Sequence, residues 1–326
     1  MTKQEAIDIV NKSDIFKKWH FFKYHFDFYN KGLEHPLARS IIEMTVELEN
    51  IVPKAGIDYI QKIASINGKP KCTKHFEQLL QVLAELTIVH KAATFHWADK
   101  TSFTYEPTTG GSAKNPELTI TTDTLAIGLE VKAPELVTKH NERAKKPQQV
   151  PSRSDIFKTI DKKKAMLPRD NPVKDFLISA DKKFEEFKKD NSSFYGILII
   201  VWDDYVYEPI SALTSPQAGL FTDNSFAKGK DGNVLKFPNV DCVVVTRHLL
   251  PIFRGTRDEP LPDFSQHPLD YGRYKEFPYK VIFKNPWSDL ETPNEIIDCF
   301  QVLQPGPELG AEYLPSDFIT WIDSEQ

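Results

Sequence analysis

One uninterrupted apolar run constrains the fold more than any other feature of this sequence. Residues 196–202 read Gly-Ile-Leu-Ile-Ile-Val-Trp, with no polar position to mark a solvent-facing side. A run of this length is typical of a strand that is buried on both faces, as at the centre of a sheet covered by helices on each side. The sequence therefore predicts an α/β fold built around this strand.

The segments that precede this strand predict a definite order of elements. Apolar residues at helical spacing predict a helix from Thr73 to about residue 90. Aromatic and β-branched residues at 94–97 and 101–105 then predict one or two strands, and alternating residues predict further strands at 117–121 and 125–133, joined by a turn at 122–124. The next helix is predicted to open at Asn171 or Pro172. The order helix, three strands, helix, strand predicts a mixed sheet.

The chain divides into three predicted parts. Residues 1–70 are expected to be helical, and Thr2 and Glu5 have the spacing of a capping box at the start of the first helix. Residues 71–210 form the α/β core. Residues 211–326 form a C-terminal extension packed on that core, because the apolar strand around residues 243–245 needs sheet neighbours.

Composition excludes several classes of protein. The 326 residues are 40% hydrophobic and 27% charged, which is typical of a globular chain. No apolar run approaches the ~18 residues that a membrane span requires, and the first residues have no apolar signal segment. Three widely spaced cysteines argue against a disulfide scaffold and a cysteine zinc site. We expect a cytoplasmic protein that does not associate with membranes.

Charge is distributed unevenly along the chain. The net charge is −5, yet residues 132–190 contain 16 lysines and arginines and only 10 acidic residues. This segment is either a solvated charged surface or a patch that binds phosphates. The candidate nucleic-acid contacts in and beside it are Arg153, Lys158, Lys162, Lys163, Lys182 and Lys183.

Two acidic residues and a lysine lie on the predicted hairpin. Glu130 and Lys132 are two positions apart, so a strand would place them on the same side. Glu117 begins the partner strand, across from Glu130. Two carboxylates and the Val131 carbonyl are the hard oxygen ligands that Mg²⁺ prefers, and Lys132 could stabilise developing negative charge or orient a water. The pattern suits metal-assisted hydrolysis of a phosphodiester.

Further acidic residues leave alternatives open. Glu85, on the preceding helix, is placed in sequence to complete the site, although a single helical glutamate often faces solvent. Asp123, at the hairpin tip, is the alternative metal ligand. The structural alternative for Glu130 and Lys132 is a cross-strand ion pair on a half-exposed sheet. Asp203 and Asp204 end the apolar strand, where acids bind a cation or solvate a turn.

The sequence Pro116-Glu117, followed after 12 residues by Glu130-Val131-Lys132, resembles the PD-(D/E)XK motif of the restriction-endonuclease-like nuclease superfamily. The resemblance extends over residues 73 to about 204 and includes the α-β-β-β-α-β order of that superfamily's core. It implies that Glu117, Glu130 and Lys132 are catalytic, that the two glutamates and the Val131 carbonyl bind Mg²⁺ or Mn²⁺, and that Glu85 assists in both roles. It also implies DNA as the usual substrate, although some members cut RNA or have lost activity.

The motif departs from the family pattern at one position. The first acidic residue is usually Asp, and here it is Glu117, whose extra methylene shifts the reach of the carboxylate. We therefore carry two hypotheses: a metal-dependent endonuclease acting in restriction, phage defence or as an effector, and an inactive nuclease-like fold that binds nucleic acid or protein. A homodimer through the N-terminal aromatic region and the tail is a further expectation. His90 and His96 have no partners at zinc-ligand spacing.

Overall fold

The computed structural model describes residues 1–68, 72–97, 100–108, 115–146, 148–150, 153, 161, 163–259, 267–271, 273, 280–305 and 320–321. Within these residues the helices are α1 Lys3–Lys12, α2 Asp14–Lys17, α3 Lys23–Phe28, α4 Pro36–Ile51, α5 Ala55–Ser65, α6 Thr73–Thr94, α7 Val137–Arg143, α8 Asp170–Asp190, α9 Tyr207–Thr214, α10 Leu249–Gly255 and α11 Asn294–Phe300. The strands are β1 Ser102–Tyr105, β2 Leu118–Thr121, β3 Ala126–Lys132, β4 Gln148–Gln149, β5 Ala165–Met166, β6 Phe194–Trp202, β7 Cys242–Arg247, β8 Lys280–Lys284 and β9 Thr320–Trp321. None of the described helices is long and apolar enough to cross a membrane.

The main sheet has six strands in the order β1-β2-β3-β6-β7-β8. Strand β2 is antiparallel to both of its neighbours, β1 and β3. Strands β3, β6 and β7 run parallel, and β8 is antiparallel to β7. All nine residues of β6 are buried, as the apolar run predicted. The prediction of an α/β fold with a mixed sheet is therefore confirmed. A smaller sheet joins β5, β4 and β9.

Two apolar clusters cover the two faces of the main sheet. One contains the inward residues of α6 together with the N-terminal helices α1, α4 and α5, and the other contains α8 and α9. The helix α8 approaches the sheet closely because Gly196 lies beneath it: a Cβ there would come within 2.6 Å of the Phe184 ring. This close approach also sets how far the polar residues of α8 can reach across β3.

The N-terminal and C-terminal regions are continuous with this core. The Thr2 hydroxyl accepts a hydrogen bond from the Glu5 backbone N–H, and the Glu5 carboxylate accepts one from the Thr2 N–H, so the predicted capping box is present. The strands β7 and β8 extend the sheet beyond β6, as expected for the segment around residues 243–245. The domain boundaries at residues 70 and 210 stay a prediction.

Of the one or two strands predicted at residues 94–97 and 101–105, the structure forms β1 in the second segment and no strand in the first. Helix α6 continues through Thr94, and the indole N–H of Trp97 donates a 2.7 Å hydrogen bond back to the carbonyl of Ala92. The side chain of Trp97 is buried against the core instead of lying in a ladder. Aromatic and β-branched residues favour strands only where neighbouring strands are available to pair with them.

Helix α6 also holds the chain that leaves β3. The buried Glu77 carboxylate accepts hydrogen bonds from the backbone N–H groups of Leu136, Val137 and Thr138, at 2.9, 2.7 and 3.2 Å. These groups lie at the start of α7, where N–H groups have no partner within the helix and a carboxylate is favourable. The segment after Lys132 is thereby fixed against α6.

Four buried charged residues meet at the end of β6. We call Arg143, Arg169, Asp203 and Glu208 the arginine–carboxylate quartet; each is at most 6% exposed. Arg169 contacts both Asp203 oxygens at 2.8 Å and donates to Glu208 at 2.7 Å, while Arg143 donates to Glu208 at 2.8 Å. Asp203 also accepts a 2.9 Å hydrogen bond from the backbone N–H of Tyr205, so it caps the turn after β6 as well as pairing with the two arginines. Its neighbour Asp204 forms a surface pair with Arg247 at 2.7 Å.

Candidate active site

The two glutamates of the motif meet at the open end of the β2–β3 hairpin. Leu118 and Leu129 are register partners, and the backbone N–H of Glu117 donates to the Leu129 carbonyl at 2.9 Å. The ladder thus places Glu117 beside Glu130. Glu130 is completely buried and Glu117 is 7% exposed. Two acidic side chains without solvent require compensating positive charge.

Two lysines provide that charge. The Lys132 ammonium lies 2.5 Å from Glu130 Oε1 and 3.7 Å from Glu117 Oε1. The Lys183 ammonium, from α8, lies 2.8 Å from Glu130 Oε2 and 3.3 Å from Glu117 Oε2. We call these four residues the carboxylate–lysine cluster. The sequence prediction that Glu130 and Lys132 share one side of β3 is confirmed.

The two carboxylates differ in acidity. Burial and a hydrogen bond with Glu130 raise the pKa of Glu117 well above its usual range, and the charges of Glu130 and Glu85 add to the shift. Burial also works against ionised Glu130, but the hydrogen bond from Glu117 and the ammonium groups of Lys132 and Lys183 outweigh it and lower its pKa. One proton is thus held preferentially on Glu117.

Glu85 lies on α6 at the border of this cluster. Its Oε1 accepts a 2.7 Å hydrogen bond from the Tyr59 hydroxyl, and the Lys62 ammonium lies 3.7 Å away. Burial raises the pKa of Glu85, and its charge raises the pKa of Glu117 in turn. Glu85 is therefore held by α5 within electrostatic reach of the cluster, and its 19% side-chain exposure leaves it open to a ligand.

The Val131 carbonyl points towards the β2 side of β3. Successive carbonyls along a strand alternate in direction, and that of Leu129 accepts from Glu117 on this side. The carbonyl of Val131 lies one repeat further along, beyond Leu118, where the β2 ladder begins. It therefore faces the same open end of the hairpin as the two glutamates.

Asp123 lies at the opposite end of the hairpin. Its side chain is 69% exposed, and its closest basic partner is Lys100 at 3.9 Å. The neighbouring Thr122 hydroxyl accepts from the backbone N–H of Leu125 at 2.9 Å, which is the turn chemistry expected there. Asp123 therefore cannot share a ligand with Glu117 and Glu130.

The predicted nucleic-acid contacts have several different environments. Lys163 and Lys182 are exposed, while Arg153 forms an ion pair with Asp170 and lies 4.2 Å from the centre of the Phe226 ring. Lys183 binds the two glutamates, as described above. Lys158 and Lys162 lie outside the described residues.

The role of Lys183 was missed from the sequence, although the sequence contains a signal for it. Lys183 is three residues after Ala180 and seven after Phe176, so it falls on the apolar stripe of α8. A lysine on a core-facing stripe indicates a buried carboxylate opposite. The contacts of Glu85 with Tyr59 and Lys62 could not be predicted in the same way. The sequence of α5 is that of an ordinary amphipathic helix, whether or not Tyr59 and Lys62 bind a carboxylate.

Comparison with protein-family models, curated proteins and solved structures found no match to this chain. The geometry of the cluster is therefore the basis for assigning a function.

The raised pKa of Glu117 gives a prediction that requires no ligand. Below the usual value of 4.5, folded and unfolded chains both hold this proton. Between 4.5 and the raised pKa only the unfolded chain loses it, so this group makes wild-type stability fall as pH rises. The side chain in Glu117→Gln cannot ionise, so the stability of this variant should not show that decrease with rising pH. Urea unfolding in EDTA, from about pH 5 to about pH 8, measures the difference; parallel profiles for the two proteins would refute the assignment.

Proposed function

We propose that this protein is a metal-dependent nuclease that hydrolyses phosphodiester bonds, with DNA as the expected substrate and a restriction-endonuclease-like core as its fold. The observation that carries the proposal is the carboxylate–lysine cluster itself. Two buried glutamates and the lysine two residues beyond the second meet at one open end of a hairpin. The order α6, β1, β2, β3, α8, β6, with α7, β4 and β5 inserted between β3 and α8, supports the proposed core.

The donor set fits Mg²⁺ or Mn²⁺. Among the described residues, no donor forms a hydrogen bond of good geometry with Glu130 Oε1, although Lys132 lies beside it. The Lys183 ammonium already lies between both carboxylates, which marks that position as one that favours a cation. Glu117, Glu130 and the Val131 carbonyl would hold the ion, with Glu85 as an accessory acid. All four are oxygen donors, which Mg²⁺ and Mn²⁺ prefer.

A divalent ion held there would polarise a phosphoryl oxygen and lower the pKa of a bound water. The side chain of Lys132 is 24% exposed and borders both carboxylates, so its ammonium can stabilise negative charge that develops on the phosphate or orient the attacking water. Glu117 must lose its proton before it can bind the ion, because a carboxylate and not a carboxylic acid is the ligand. Metal binding is therefore expected to strengthen as pH rises.

Exposed lysines on α8 and before β5 suit a polyanionic substrate. Lys182 is next to Lys183 on the solvent side of α8, and Lys163 is exposed in the loop before β5. These side chains would contact phosphates without selecting a base sequence. Restriction, phage defence and an effector role all suit such an enzyme, and a homodimer would allow it to cut both strands.

A second candidate function is a binding module on the same fold without catalysis. The observation that favours it is that the protein's own cations already occupy the site: the Lys132 and Lys183 ammonium groups lie 2.5 and 2.8 Å from the two oxygens of Glu130. A site that has lost its metal would be stabilised in this way.

Cleavage of supercoiled plasmid, linear DNA and RNA by the purified protein tests the proposal. We expect hydrolysis with Mg²⁺ or Mn²⁺ and none with EDTA. Binding of DNA without cleavage in either metal would instead favour the binding module.

The place of Lys183 between the carboxylates predicts how the metal requirement responds to mutation. Removal of a competing positive charge strengthens cation binding, so Lys183→Gln should reach half-maximal cleavage at several-fold lower Mg²⁺ than wild type. Lys182→Gln, at the exposed neighbouring position, should leave the Mg²⁺ titration unchanged and provides the matched control. An unchanged or higher Mg²⁺ requirement in Lys183→Gln would show that Lys183 does not compete for the site.

A further inference from the structure

A second group of potential metal ligands lies on the N-terminal helices, outside the sheet. His25 is on α3, His35 immediately precedes α4, and Asp258 follows α10. One donor atom from each of these residues lies within 4.8 Å of the other two. We call these three residues the histidine cluster. The cluster joins two helices near the start of the chain to a segment more than 220 positions away in sequence.

His25 carries a buried nitrogen that the protein does not use. Within the described part of the chain, no hydrogen-bond partner reaches its Nδ1, whereas His35 faces Asp258 through Nε2. His25 is 7% exposed and the side chain of His35 is 10% exposed, so water has little access to either ring. A buried, unpaired ring nitrogen costs free energy unless something binds it.

The remaining contacts orient the rings for a metal ion. The backbone carbonyl of Thr256 accepts a hydrogen bond from the His25 ring, which leaves the lone pair on Nδ1. Metal-binding histidines commonly have such a second hydrogen bond, which fixes the tautomer and the ring orientation. Burial lowers the pKa of His25 to about 4, so the imidazole is neutral at physiological pH, as a metal ligand must be.

The Asp258 carboxylate supplies negative charge to the cluster and exposes it to metal ions in solvent. Its Oδ2 lies 3.2 Å from His35 Nε2, close to the ~3.3 Å that separates two ligands of a tetrahedral zinc ion. Its side chain is 50% exposed, so an ion can reach the site from solvent. Two imidazoles and one carboxylate suit Zn²⁺, whereas Mg²⁺ prefers oxygen ligands.

From this geometry we infer that His25, His35 and Asp258 form a zinc site that ties α3 and α4 to the segment after α10. The fourth position is left for water. The site is independent of the nuclease proposal, because it shares no residue with the carboxylate–lysine cluster. Its role is structural: bound zinc should stabilise the packing of the N-terminal helices on the rest of the chain.

Calorimetric titration of the full-length, metal-free protein with Zn²⁺ alone tests the inference, with the melting temperature recorded beside it. We expect one equivalent to bind at the histidine cluster and to raise the melting temperature. His35→Ala should weaken binding about 100-fold or more, and Asp258→Asn about tenfold or more. Asp258→Asn is the second variant because its half-exposed side chain can change without disturbing the core.

Two controls separate this site from other metal binding. His140→Asn removes an exposed histidine on α7 and should bind Zn²⁺ as wild type does. Glu130→Gln alters the carboxylate–lysine cluster and should keep the binding event that His35→Ala weakens, even if Zn²⁺ bound at the glutamates is lost. Binding at wild-type affinity in both His35→Ala and Asp258→Asn, or no stoichiometric binding in wild type that depends on His35, would overturn the inference.

Discussion

Glu130→Gln should lower the rate of DNA cleavage by about 10³-fold or more. The substitution keeps the shape of the side chain but removes the charge that would hold the metal beside Glu117. Because Glu130 is completely buried and contacts two lysines, the unfolding free energy of the variant must be measured with its rate. Cleavage is assayed on supercoiled plasmid across a range of Mg²⁺ concentrations.

Two further variants test whether the loss of cleavage locates the active site at this cluster. Lys132→Met should lose a comparable part of the rate without needing more Mg²⁺ than wild type, because Lys132 acts on the phosphate or the water and is not a metal ligand. Asp123→Asn alters the exposed carboxylate at the far end of the hairpin and should cleave normally. Cleavage that persists in folded Glu130→Gln and Lys132→Met would place the active site elsewhere.

Arg169→Met should destabilise the protein by about 3–5 kcal/mol. The substitution preserves much of the side-chain volume over the Trp202 ring, but it leaves Asp203 and Glu208 with Arg143 as their remaining partner within the quartet. Buried carboxylates that lose a partner carry a large desolvation penalty. The free energy of unfolding in urea measures the effect.

Arg247→Met is the matched control for that prediction. Arg247 forms its ion pair with Asp204, the residue next to Asp203, but both side chains are at least 39% exposed. Surface pairs contribute about 0–1 kcal/mol, so this variant should unfold almost as wild type does. Similar losses of unfolding free energy in Arg169→Met and Arg247→Met would mean that burial does not strengthen the quartet.

The main sheet and half of the candidate site could be predicted from local sequence. The apolar run of β6 and the alternation in β2 and β3 are short-range patterns, and the spacing of Glu130 and Lys132 fixes their common side. The segment at residues 94–97 could not be assigned in this way, because Trp97 folds back onto Ala92 and no strand pairs with it.

The other half of the site depends on packing between distant segments. Lys183 reaches Glu130 only because α8 lies close to the sheet over Gly196. The arginine partners of Asp203 could not be predicted from local sequence because they lie 60 and 34 positions away. The histidine cluster likewise depends on Asp258, which no local pattern links to His35.

The binding of Mn²⁺ to the full-length protein tests the central claim most directly, since it separates an active site from an inert ion-pair cluster. Electron paramagnetic resonance of free Mn²⁺ gives the number of bound ions. The account predicts a bound ion in wild type and in Asp258→Asn, and its loss in Glu117→Gln and Glu130→Gln. Wild-type protein that binds no Mn²⁺, or that binds it equally well after both glutamate substitutions, would contradict the account.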